Sequence, residues 1–306
     1  MPDLLDKRLV IVTGKGGVGK STVALATALA AARRGKRTIL CEVGAQERLS
    51  RVFHRVEVGF HEVEMAENLW AISIDPDESM REYLLIQLKV RAMRDLLVRS
   101  RIFSYLAAAT PGLKELVTIG KIWELAQPER KVKGGRQYDL VVVDAPATGH
   151  GIGFLQTPRT FAGIARVGPI RSQAETLDKF IRNKRKTGVE IVSAPEEMPV
   201  NETLALECDL ADEVGVAVDR VVMNGLYEER FSDDEADHLA RVASEQDGVV
   251  RAACRAAVRE CRRARSQREQ LARLSEGTRV PVTTLPFLFE PELGVEEIGV
   301  LAEELA

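Results

Sequence analysis

The stretch VTGKGGVGKST (residues 12–22) places four glycines, two lysines and a Ser-Thr pair directly behind the apolar run RLVIV (residues 8–12). A β-branched run that ends in a glycine-rich turn and passes at once into STVALATALAAARR (residues 21–34) reads as strand, loop, helix. Within it, GKGGVGKS satisfies the phosphate-loop pattern G-x-x-x-x-G-K-[ST]. Gly14, Gly16, Gly17 and Gly19, with Val18 among them, let consecutive amides point inward at phosphate oxygens, and the helix that follows adds a favourable dipole. Lys20 is placed to neutralise the β- and γ-phosphates, Ser21 to offer its hydroxyl to Mg²⁺, and Thr22 to reach the α-phosphate. The expected ligands are therefore ATP or ADP with Mg²⁺. A plain flexible turn is the competing reading, and the complete pattern between strand and helix argues against it. One residue exceeds the pattern. Lys15, at the crest of the loop, is badly placed to fold back onto its own phosphates.

The rest of the chain fits around this unit. Strand-like runs recur at RLVIVTG (8–14), RTILCE (37–42), LWAISID (69–75), YDLVVVD (138–144), VEIVSA (189–194), RVVMN (220–224) and PVTTLPF (281–287). Several are continuous β-branched runs, as expected of central parallel strands covered on both faces. The expected fold is an α/β doubly wound, mostly parallel sheet of the P-loop type. Two segments exceed a simple crossover. Residues 76–127 read as three or four consecutive helices, and residues 150–187 as a second insertion ending in the basic DKFIRNKRK. Together they predict an α-helical subdomain inserted into a single ATPase domain spanning residues 1–306.

Bulk composition narrows the function. With 306 residues and 45% hydrophobic content the chain buries a substantial core. Lys plus Arg (43) nearly balance Asp plus Glu (46), a net charge of −3, so nucleic acid is not the expected partner. No apolar run approaches the ~20 residues of a membrane span, and MPDLLDKR lacks the design of a signal peptide. The expectation is a cytoplasmic protein without a stable membrane anchor. The four cysteines form no CxxC pair. Val250, Cys254, Ala257, Cys261 and Ala264 fall on one helical stripe and are read as core. The arginine-dense segment 251–273 is read as a solvated helix face rather than an RNA site, and His150 as a packing residue.

YDLVVVDAPATGH (residues 138–150) is a Walker B-like strand ending in Asp144, whose carboxylate is suited to hold a Mg²⁺-bound water. The "GKGG" form of the loop resembles the deviant Walker A of the ParA/MinD/ArsA class, where the extra lysine reaches the nucleotide of a facing subunit. DAPATGH resembles the switch II sequence of the ArsA/GET family of arsenite-pump and tail-anchored-protein targeting ATPases, and GFLQTPRTF (residues 153–161) is similar to that family as well. The resemblance extends to RVVMNG, where Asn224 matches the residue that reads adenine, and to LPFLFEPELGVEEI, which places Pro286 and Phe287 near the base. It covers residues 8–304, and EVGAQERL, TPGLKELVTIGKIWEL and SAPEEMPVNET most resemble the short actinobacterial ArsA-like subunits. It implies an ATPase that dimerises, with itself or with a paralogous ATPase chain, through a contact that includes Lys15, and that engages a hydrophobic client.

One departure bears on catalysis. Where the family carries STDPAH, with an aspartate that positions the attacking water, this chain reads EVGAQE (residues 42–47) and puts Gly44 at the aspartate's place. Water positioning is central to phosphoryl transfer. Glu42, at the strand end, and Glu47 are the candidate substitutes, with Glu42 preferred because a strand holds its backbone. The metalloid cysteines of the arsenite pumps and the zinc CxxC of the targeting members have no counterpart. Tyr83, Ile86, Val90, Met93 and Leu97 form an apolar stripe that serves as core or as client groove. Two functions follow: a Mg²⁺-dependent ATP-hydrolysing dimeric switch, or a hydrolytically weak nucleotide-binding regulatory subunit of a second ATPase chain.

Overall fold

The computed structural model describes residues 3–44, 58–87, 110, 112–132, 134–165 and 168–306, with side chains at all of these except 84–87, 148–150 and 169. Val90, Met93, Leu97 and Glu47 therefore lie outside the described residues, as does the side chain of His150. In chain order the described elements are β1 (Leu9–Gly14), α1 (Lys20–Arg33), β2 (Thr38–Val43), β3 (Val63–Ala66), β4 (Leu69–Ile74), α2 (Pro76–Gln87), α3 (Leu113–Leu125) and β5 (Leu140–Asp144). They continue with α4 (Thr148–Ile164), α5 (Pro169–Ile181), β6 (Thr187–Ser193), α6 (Glu197–Asp209), β7 (Arg220–Leu226), α7 (Asp233–Glu245), α8 (Gly248–Gly277), β8 (Val282–Pro286) and α9 (Val295–Leu305).

The strands form one sheet in the order β3-β4-β2-β5-β1-β6-β7-β8. Every pairing is parallel except β3 with β4. β1 sits between β5 and β6 and is buried along its whole length, which explains the apolar run at residues 9–12. Alternate residues feed two cores. Leu9 and Ile11 join a layer with residues of α3, α4, α5 and α6, whereas Val10 and Val12 join one with α1 and α9. The sheet is thus doubly wound, and the inserted helices lie on the first of these faces.

Helix α1 shows how composition sets position. Eight of its buried residues are Ala or Leu, and it is sandwiched between the sheet and α9. Small side chains permit that close approach on two sides. Beneath it, Thr27 Oγ1 donates to Glu190 Oε2 at 2.8 Å, and Arg220 Nε donates to Glu190 Oε1 at 2.6 Å. Arg220 Nη1 also donates to the Leu305 carbonyl at 3.2 Å, which ties β6, β7 and α9 together.

The edge strand β3 has no counterpart in the sequence reading. It is four residues long, half exposed, and turns into β4 through Glu67 and Asn68, the latter left-handed at φ 59°. The stripe on α8 turns its small residues inward as expected at Cys254 and Ala264, but Val250 is 50% exposed. It sits in the first turn of α8, where Val249 beside it is also exposed, at 85%.

Candidate nucleotide site

The phosphate loop leaves β1 at Gly14 and enters α1 at Lys20, at the carboxyl edge of the parallel strands. Two close approaches explain two of its glycines. A Cβ on Gly14 would lie 2.3 Å from the Val192 carbonyl oxygen, and one on Gly19, at φ 90°, would lie 2.2 Å from Asn224 Nδ2. Lys20 is 8% exposed, and its Nζ donates to the Lys15 carbonyl at 2.8 Å, so the cation is held across the loop. Gly16 and Gly17 are exposed at the crest, Val18 is buried beneath it, and Thr22 is half-buried in the first turn of α1.

Ser21 Oγ donates to Asp144 Oδ2 at 2.5 Å. The structure therefore brings the loop serine and the carboxylate at the end of β5 into direct contact, although 123 residues separate them. A hydroxyl and a carboxylate side by side are hard oxygen donors of the kind Mg²⁺ takes, directly or through water, so the residues present fit that ion. Glu42 is the register partner of Asp144 on the adjacent β2, which puts both side chains on the face that α1 covers. Glu42 is 2% exposed. Behind it, burial pushes the Cys41 thiol well above its ordinary range, as suits a core cysteine rather than a ligand.

At the crest, Lys15 Nζ meets Glu202 Oε1 of α6 at 2.6 Å, with side chains 30% and 37% exposed. Glu202 lies in SAPEEMPVNET, but nothing in the local pattern marks it as the partner of a lysine 187 residues away. Asn224 is brought to the loop as well: its Nδ2 donates to the Val18 carbonyl at 2.9 Å. Pro286 ends β8 beside Leu226 of β7, and Phe287 N donates to the Leu226 carbonyl at 2.8 Å. Phe287 packs with Tyr227 and Phe289 at ring distances of 4.8 and 4.9 Å, and Arg263 lies over the Tyr227 ring. This aromatic group was only partly readable. The alternation in PFLF pairs Phe287 with Phe289, whereas Tyr227 comes from another strand end.

A glycine-rich loop between the central strand and its helix, with a serine–carboxylate pair at the carboxyl edge of a doubly wound sheet, defines a P-loop nucleotide-binding fold. The sequence of residues 7–168 and 162–252 matches the model of the Anion-transporting ATPase family, and the chain belongs to that ArsA/GET-type family. It is 32% identical over 226 residues to ATPase BagA of Mycobacterium tuberculosis, an alignment covering 71% of this chain and 64% of that protein. It is 28% identical over 305 residues to a putative arsenical pump-driving ATPase of Halobacterium salinarum, covering 96% of this chain and 43% of the other. With ATPase GET3 of Podospora anserina it shares 28% identity over 178 residues, 56% of this chain and 50% of that protein. The chain thus spans less than two thirds of the length of each of these relatives.

Proposed function

We propose that the chain binds ATP with Mg²⁺ at this loop, hydrolyses it slowly, and works in the cytoplasm as one domain of a dimeric switch. The observation that carries the reading is the 2.5 Å contact between Ser21 and Asp144 beside the buried Lys20. Mg²⁺ held there would neutralise phosphate charge, while Lys20 and the loop amides orient the triphosphate. Asn224, which reaches the loop at Val18, and Phe287, beside Leu226, are proposed to border the base. Lys15 is proposed to act on the nucleotide of a facing subunit, whether a second copy or a paralogous ATPase. We place the chain with the short actinobacterial ArsA-like subunits, a reading that the mycobacterial similarity supports.

Coupling to a hydrophobic client is proposed through the inserted helices. Between α2, α3 and α5 lies a largely apolar cavity of about 190 Å³ lined by Met80, Tyr83, Leu116, Trp123, Ile170 and Leu177. Among the described residues no helix is long and apolar enough to cross a membrane.

Gly44, which ends the described part of the loop after β2, favours the second reading, a weakly hydrolytic subunit that pairs with another ATPase chain. Single-turnover ATP hydrolysis by the purified chain separates the two. Lys20→Ala is expected to lose tight ATP binding. Glu42→Gln is expected to keep binding and lose most turnover, because the amide is a far poorer proton acceptor. Unchanged ATP affinity in Lys20→Ala overturns the site. Negligible wild-type turnover that appears only with a second ATPase chain selects the regulatory subunit.

A further inference from the structure

At the opposite end of the sheet from the phosphate loop lies a second cavity, of about 210 Å³. It is bordered by Lys7 ahead of β1, the turn after α5, Thr187 at the start of β6 and the segment before β7. β1, six residues long, separates the two ends by about 20 Å at a strand rise of ~3.3 Å per residue. The floor is apolar: Ile181, Val216 and Val218 are buried there. The rim is cationic, formed by Arg182, Lys184 and Arg185, the basic run at the end of the second insertion.

The charges at this cavity are unevenly matched. Lys7 is 3% exposed and committed: its Nζ pairs with Asp219 and donates to the Thr187 carbonyl at 3.2 Å. Asp219 in turn accepts from Val189 N at 3.0 Å. Arg182 lies over Gly215, where a Cβ would come within 2.7 Å of its Nη2, and reaches Asp178 only at 3.7 Å. Lys184 and Arg185 make no ion pair among the described residues. Four cations and one carboxylate, Asp219, therefore line an apolar hollow, with Asp178 reaching only Arg182, in a chain whose net charge is −3. A solvated basic turn needs no such hollow, and a merely structural cavity needs no such rim.

We propose that this cavity binds a small organic anion with an apolar body, such as a medium-chain carboxylate, its chain against Val216 and Val218 and its charge between Lys184 and Arg185. The cavity is smaller than the ~300–1,000 Å³ of drug-sized clefts, which excludes long-chain lipids and leaves room for a chain of medium length. The site stands apart from the nucleotide loop and does not depend on the proposed ATPase activity. Charge-assisted contacts supply the affinity, and the floor supplies selection for an apolar body.

Calorimetric titration with octanoate tests the site, with 1-octanol and inorganic phosphate as the body-only and charge-only controls. The expected result is one octanoate per chain, with both controls at least ~10-fold weaker. The double variant Lys184→Glu/Arg185→Glu, at exposed positions, should weaken octanoate at least ~10-fold and leave the melting temperature unchanged. Ala217→Trp, which fills the hollow, should abolish binding. Equal octanoate affinity in the wild type and the double variant overturns the proposal, as does octanoate binding that survives Ala217→Trp. Co-sedimentation with phosphatidylglycerol vesicles in the absence of octanoate binding also overturns it, in favour of a membrane surface.

Discussion

Lys15 is the residue whose surroundings and proposed role pull in different directions. Its ammonium is held in its own chain by Glu202, yet both side chains are about a third exposed. An ion pair so placed is worth ~0–1 kcal/mol, because water already solvates both partners. The contact therefore parks the lysine without locking it, and a facing nucleotide phosphate would outcompete a single carboxylate. Lys15→Ala is expected to leave ATP affinity nearly unchanged and to lower turnover by ~10³-fold, the scale of a cation supplied in trans to the transferring phosphoryl group. Glu202→Ala should shift turnover by no more than ~5-fold, the factor equivalent to ~1 kcal/mol. Steady-state kinetics with parallel binding measurements checks both. If Glu202→Ala costs as much as Lys15→Ala, the carboxylate is part of the catalytic arrangement and the parking role fails.

Among the elements, the buried strands were the most legible, because residues covered on both faces carry an unbroken apolar signal. β3 was not, since a four-residue edge strand buries too little to impose a pattern, although Asn68 ahead of LWAISI is a usable hairpin signal. The phosphate loop was legible because its chemistry is local. Contacts with Glu202 and Tyr227 join distant parts of the chain, and no local spacing encodes them. The same holds for the Thr27–Glu190–Arg220 group under α1, where Glu190 is fully buried. Removing one partner leaves a buried charge uncompensated. Arg220→Ala should therefore cost ~3–5 kcal/mol, also loosening the end of α9 through the lost Leu305 contact. Urea denaturation reads the loss. The paired apolar replacement Glu190→Leu/Arg220→Met should recover most of it, since a buried ion pair often does no better than a well-packed apolar pair. A double variant as unstable as Arg220→Ala would show that packing around Arg220, not charge, holds these strands to α9.

For the whole molecule, the proposed pairing through Lys15 and a facing nucleotide requires an assembly that forms only with nucleotide bound. The loop crest, with Gly16 and Gly17 exposed, presents Lys15 at the surface, and a net charge of −3 on 306 residues opposes association only weakly. A ligand that binds only the folded chain raises its stability by ~2.7 kcal/mol at a hundred times the dissociation constant, whether or not a dimer forms. Nucleotide-induced stabilisation alone therefore does not report assembly. The discriminating variable is protein concentration. If two chains enclose two nucleotides, the melting temperature with Mg²⁺-ATP should rise as the chain is concentrated, and without nucleotide it should not. Sedimentation velocity should show a dimer under the same conditions and a monomer for Lys20→Ala, which lacks bound ATP. A wild-type chain that binds ATP, melts at a concentration-independent temperature and sediments as a monomer would rule out self-pairing. Lys15 would then need a paralogous ATPase to act upon, and adding that chain should restore both the faster sedimentation and the concentration dependence.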